Sequence, residues 1–92
     1  MNVNKDTQGR QHQVLIVDDE DGARQGLSEL LTNWGYITET ARDGIEAVEA
    51  LKSFHPSIVI TDLSMPNMDG IELLKAIHTN PPPHPPVVLL TA

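Results

Sequence analysis

Four short runs rich in β-branched and aliphatic residues, at 13–17, 36–40, 57–61 and 87–91, are separated by three stretches that repeat apolar residues at helical spacing. The first run, Gln13-Val14-Leu15-Ile16-Val17, is continuous enough to predict a strand buried on both faces, as parallel sheets require. Ala23, Leu27, Leu30, Leu31 and Trp34 then share one stripe of a helix that starts near Asp21 and stops before Gly35. Trp34 is expected to anchor the core at that helix end. Residues 36–40 are more polar, which predicts a strand at the sheet edge. After the Asp43-Gly44 turn, Ile45, Ala47, Val48 and Leu51 predict a short second helix. It closes at His55-Pro56, because the residue before a proline avoids helical backbone. A third strand follows over 57–61, and Ile71, Leu74 and Ile77 predict a third helix ending near Asn80. The prolines at 81–83, 85 and 86 cannot continue it and read as a stiff extended connector to the last apolar run.

The order β-α-β-α-β-α-β with short loops predicts an α/β fold, a doubly wound parallel sheet with right-handed crossovers, and 2-1-3-4 is the strand order adopted for it here. In such sheets ligands bind beyond the carboxyl ends of the strands where the strand order reverses, here between the first and third strands. Asp18 and Asp19 directly follow the first strand, and Asp62 directly follows the third. If the strands are neighbours, three carboxylates meet at one point and repel unless a cation lies between them. That places a divalent metal site beside a candidate phosphoryl acceptor.

Composition narrows the options further. Ninety-two residues allow one small domain, with a polar, aperiodic opening at 1–12 expected to be a flexible tail. The opening lacks the apolar centre of a signal peptide and no apolar run approaches a membrane span, so a soluble cytoplasmic protein is expected, with no membrane partner. The absence of cysteine excludes disulfides, thiolate metal sites and cysteine nucleophiles. A net charge of −7 with six scattered basic residues argues against direct binding of nucleic-acid phosphates. His12, His55, His78 and His84 show no ligand spacing and read as surface residues.

Three sequence blocks together carry a resemblance: Val-Asp18-Asp19-Glu, Thr-Asp62-Leu-Ser-Met65-Pro66-Asn-Met68-Asp69-Gly70, and Val-Val-Leu-Leu-Thr91-Ala92. From about residue 13 onward the chain resembles the receiver domain of bacterial two-component response regulators, which have a flavodoxin-like fold. The resemblance implies that Asp62 takes a phosphoryl group from a histidine of a sensor histidine kinase. It implies Mg2+ bound by Asp19, Asp62 and the backbone carbonyl of Ser64, with Asp18 holding water on the ion. A hard cation with oxygen ligands fits this chemistry independently, since no His or Cys cluster favours zinc. Thr91 takes the switch position, where its hydroxyl would bind a phosphoryl oxygen, and Ala92 leaves room beside it. The Met-Pro-x-Met-Asp-Gly run is most like receivers of transcriptional regulators, which implies a DNA-binding output domain outside this chain.

The departure from the family lies at the C terminus. Receivers continue with a helix, a fifth strand bearing a lysine that contacts the phosphoryl group, and a last helix packed on the first. The sequence at 13–92 therefore reads as a partial, truncated receiver. Phosphorylation is expected to be impaired without the lysine. The run at 87–91 should form an exposed apolar edge through which chains self-associate.

Blander readings stand beside these. Asp18 and Asp19 can cap the first helix, Glu20 and Asp21 suit its start, and Asp69-Gly70 suits a turn that launches the third. Two rival functions also follow: a structural or dimerisation fragment without phosphotransfer, and a Mg2+-dependent aspartyl phosphohydrolase of the haloacid dehalogenase type. The hydrolase needs a general acid two residues after its nucleophile, and that position is Ser64. The leading reading is a switch and not an enzyme.

Overall fold

The structure is a computed structural model that describes residues 12–91. The expected tail therefore falls outside the described residues except for His12, as does Ala92. In chain order the elements are β1 (Gln13–Val17), α1 (Asp21–Asn33), β2 (Ile37–Ala41), α2 (Gly44–Ala50), β3 (Ile58–Asp62), α3 (Gly70–His78) and β4 (Val87–Leu90). All neighbouring strands pair in parallel, in the order β2-β1-β3-β4. This is the doubly wound α/β sheet that the alternation of elements predicts, in the flavodoxin-like order that the resemblance implies.

Strand register sorts the apolar residues between two faces, because paired residues in a parallel ladder point the same way. Leu15 lies beside Val59 and Val17 beside Thr61, while Ile16 lies beside Ile60 and Ile60 beside Val88. The first set packs with Ala41, Ala47, Leu73 and Ile77 into one core in which no member exceeds 5% exposure. Thr61 is fully buried there, and its hydroxyl donates to the Asp62 carbonyl at 3.0 Å.

Both ends of α1 are set locally. Glu20 is the N-cap and accepts the Ala23 N–H at 2.7 Å, and Gly35 follows the helix with the positive φ of 97° that such stops favour. Trp34, however, is 66% exposed, so it does not anchor the core. It is the C-cap of α1, where the backbone leaves helical geometry and the side chain drops off the inward stripe. Leu27 and Leu31 are half-buried, Leu30 is exposed, and the buried side chain of α1 is Arg24. In α3 the inward residues are Gly70, Leu73 and Ile77, and Ile71 of the expected stripe is exposed. A uniform three-residue spacing drifts around a helix of 3.6 residues per turn, whereas 70, 73 and 77 stay on one face.

Candidate functional site

Adjacent parallel strands β1 and β3 end together, with Val17 paired to Thr61, so the next residue on each, Asp18 and Asp62, comes to the same rim. One carboxylate oxygen each from Asp18, Asp19 and Asp62 lies within 4.8 Å of the others. Asp18 and Asp62 are half-buried and Asp19 is exposed. The backbone around Asp18 is held on three sides. Its N–H donates to the Ala41 carbonyl at 3.1 Å, its carbonyl accepts Arg24 Nη1 at 2.9 Å, and its side chain accepts the Glu20 N–H at 3.0 Å. Arg24 is fixed in turn by Asp21 at 2.6 Å. The possibility that Asp18 or Asp19 caps α1 is corrected here, since Glu20 supplies the cap and leaves Asp19 facing solvent.

Asp62 is positioned by close backbone packing. A Cβ at Gly70 would lie 2.6 Å from the Asp62 carbonyl oxygen and 3.1 Å from Leu63 Cα, so only glycine lets α3 start this close to β3. The Gly70 N–H donates to the Leu63 carbonyl, and Leu63 N–H donates to the Leu90 carbonyl, both at 3.0 Å. Asp69 and Glu72 complete a capping box at the start of α3, with bonds of 2.8 and 2.9 Å. The turn-and-cap reading of Asp69-Gly70 thus describes the local structure, but the close approach of Gly70 to Asp62 is the part that shapes the site.

A second clip holds the loop after Asp62. Asn67, in the left-handed region with φ 69°, donates its amide to Asp43 at 2.9 Å, and Gly44 N–H donates to the Met68 carbonyl at 3.2 Å. A side chain at Gly44 would collide with Met68. Asp43 also caps α2 by accepting the Glu46 N–H at 2.9 Å. That backbone N–H first, and the Asn67 amide second, hold the Asp43 carboxyl below the usual carboxylate range. Bonds from Arg42 at 3.0 and 2.7 Å lower Glu46 in the same direction.

Ser64 lies exposed two residues beyond Asp62, and Thr91 lies exposed just past Leu90, the β4 partner of Asp62. Both therefore sit on the acidic rim. Thr91 is outside β4, one residue beyond the observed strand end. Arg24, Gly44, Asn67 and Gly70 are site-building residues that sequence reasoning missed in this role. The glycines and Asn67 had a signal, since each adjoins an acid or a turn, whereas Arg24 is indistinguishable in sequence from a solvated helix residue.

The donor set suits Mg2+. Octahedral oxygens about 2.1 Å from that ion stand about 3 to 4 Å apart, and small movements of the carboxylates bring the observed separations into that range. The family model of the response regulator receiver domain matches residues 14–92. The chain belongs to this family.

The receiver is 40% identical over 81 residues to the regulatory protein AtoC of Escherichia coli (strain K12), a match covering 88% of this chain and 17% of AtoC. It is 35% identical over 79 residues to the response regulator MprA of Mycobacterium ulcerans (strain Agy99), covering 86% of this chain and 34% of MprA. The chain thus spans a sixth to a third of the length of these relatives. A similar solved structure is the N-terminal domain of a response regulator receiver protein from Methanoculleus marisnigri JR1. It has a TM-score of 0.83 and 38% identity, covering 88% of this chain and 67% of that one. Among the described residues, no helix of the receiver is long and apolar enough to cross a membrane.

Proposed function

We propose that this receiver is a phosphorylation switch in which Asp62 is the acceptor. The observation that carries the reading is the meeting of Asp18, Asp19 and Asp62 at the carboxyl ends of adjacent parallel strands. An Asp62 carboxylate oxygen attacks the phosphorus of a phosphohistidine on a sensor kinase. The new O–P bond forms as the P–N bond breaks, and the departing imidazole nitrogen keeps the electron pair. Mg2+ held by Asp18, Asp19, Asp62 and the Ser64 carbonyl would supply neutralising charge to the carboxylates and to the phosphoryl oxygens in transfer. Gly70 and the Leu63–Leu90 ladder bond hold Asp62 at the strand end, which limits the freedom lost on reaching attack geometry. The Thr91 hydroxyl then donates to a phosphoryl oxygen, and the segment after β4 moves with it. The output is a DNA-binding domain outside this chain, and the setting is the cytoplasm.

Intact-mass analysis after incubation with Mg2+ and a small acyl phosphate tests this. A stable single adduct on the wild type, absent from Asp62→Asn, is the expected result. Continuous phosphate release would instead indicate the hydrolase chemistry, and no adduct would leave a structural fragment. Among the described residues β4 is an edge strand that pairs with β3 on one side only, with Val88 and Leu90 exposed. On that basis the receiver associates with a second copy through this edge. Sedimentation showing a monomer at all concentrations would remove that part of the reading.

A further inference from the structure

At the amino end of β4, opposite the acidic rim, two histidines six residues apart come into ring contact. His78 closes α3 and His84 lies in the proline-rich segment, with ring centroids 4.4 Å apart and planes inclined by 44°. Each ring is tied to the main chain through one nitrogen. His78 Nδ1 bonds the Leu74 carbonyl at 3.0 Å, and His84 Nε2 bonds the Asn80 carbonyl at 2.5 Å. A carbonyl can only accept, so these nitrogens carry the hydrogens. In the neutral rings the lone pairs are then on His78 Nε2 and His84 Nδ1. Neither of those atoms has a hydrogen-bond partner among the described residues. Imidazoles that bind metals are oriented by this same device, a hydrogen bond from the far nitrogen to a carbonyl that fixes tautomer and ring plane.

We propose that His78 and His84 form a two-nitrogen site for a borderline divalent cation of the Zn2+ and Cu2+ class. Two imidazoles on neighbouring positions of one such ion, with metal–nitrogen bonds near 2.0 Å, have centroids about 4.5 to 5 Å apart, close to the 4.4 Å between these rings. His84, on the other side from its contact with His78, lines a cavity of about 510 Å³ together with Phe54, His55, Ile77, Asn80 and several prolines, and His78 itself is exposed, so water has access to the pair. Donor chemistry separates the two ends of the sheet: oxygens from three carboxylates suit Mg2+, whereas neutral imidazole nitrogens suit Zn2+ and Cu2+. The net charge of −7 raises the local cation concentration at both. Binding would tie the end of α3 to the segment that leads into β4.

The test is titration of the protein with Zn2+ while Mg2+ is kept in large excess, repeated in an Asp62→Asn background to discount the acidic rim. One saturable equivalent is expected, weakened at least about tenfold by His78→Gln and by His84→Gln, and unchanged by His55→Gln. The wild-type imidazole nitrogen spectrum supplies a reading independent of any variant's folding. Zn2+ should remove the unprotonated signals of His78 Nε2 and His84 Nδ1 and no others. Wild-type affinity in either the His78 or the His84 variant, no saturable binding, or loss of the opposite nitrogens' signals would each overturn the proposal.

Discussion

On the sheet face covered by α2 and α3, Leu15, Val17 and Val59 are at most 1% exposed. On the opposite face exposure climbs across the sheet: Val14 and Ile16 are buried, Ile58 and Ile60 half-buried, and Val88 and Leu90 reach 40% and 43%. The strands are equally apolar on both faces, so composition does not cause the difference. Its cause is the covering layer. α2 and α3 bring Ala47, Leu73 and Ile77 inward, whereas α1 packs beside β1 and β2 and brings inward chiefly half-buried leucines and Arg24. Among the described residues the hydrophobic stabilisation is therefore concentrated on one side of the sheet.

The sharpest way to break this comparison is to truncate one residue on each face. Leu73→Ala should destabilise the fold by about 2–5 kcal/mol in denaturant melts, because Leu73 is fully buried and the vacated space cannot refill. Leu90→Ala, measured in dilute monomer, should change stability by at most about 0.5 kcal/mol. Comparable losses at both positions would contradict the closed and open assignment. Gly70→Ala should cost about 1–3 kcal/mol, because the new methyl is driven into the Asp62 carbonyl. It should also slow phosphorylation, while the neighbouring Ile71→Ala leaves phosphorylation unchanged. Trp34→Ala should alter monomer stability by less than about 0.5 kcal/mol while increasing solubility, since two thirds of that residue faces water.

Acid titration gives the smallest and most local effect. Asp43 has a folded-state pKa below its unfolded value, so its stabilising contribution is complete above the ordinary carboxylate range near pH ~4 and is lost as pH falls through the folded value. Glu46, lowered by Arg42, acts in the same direction. Asp43→Asn keeps a capping residue but should flatten the stability profile below that pH, with no change near neutrality in the acid dependence. A profile as steep as the wild type would show that the Asp43–Asn67 clip does not report on acid loosening of the α2 side.

Much of this receiver was decided by local rules. The alternation of continuous apolar runs with helical stripes specified the element order and a doubly wound parallel sheet, whereas the strand order 2-1-3-4 followed the family resemblance. The placement of Asp18, Asp19 and Asp62 at strand ends was legible for the same reason, because a strand end is defined by where apolar residues give way to polar ones. Asp43, Asp69 and Gly35 are likewise readable, since caps and stops act within one helical turn.

What required the tertiary structure depends on how the loops fold back and on which layer covers each helix, neither of which periodicity states. Periodicity shows that a helix has an apolar stripe, but not whether another layer covers it, so Trp34 reads as core and is exposed. Arg24 reads as solvated and is buried, because its partner is the Asp18 carbonyl on a loop whose path only packing defines. Gly70 reads as a turn residue, yet its lack of a side chain matters because β3 passes 2.6 Å from where a Cβ would be. His78 and His84 show no ligand spacing along the chain, and they meet because the proline-rich segment folds back on the end of α3. Propensity and patterning act over a few residues, whereas burial and ring contact are set by which distant surfaces the fold brings into register.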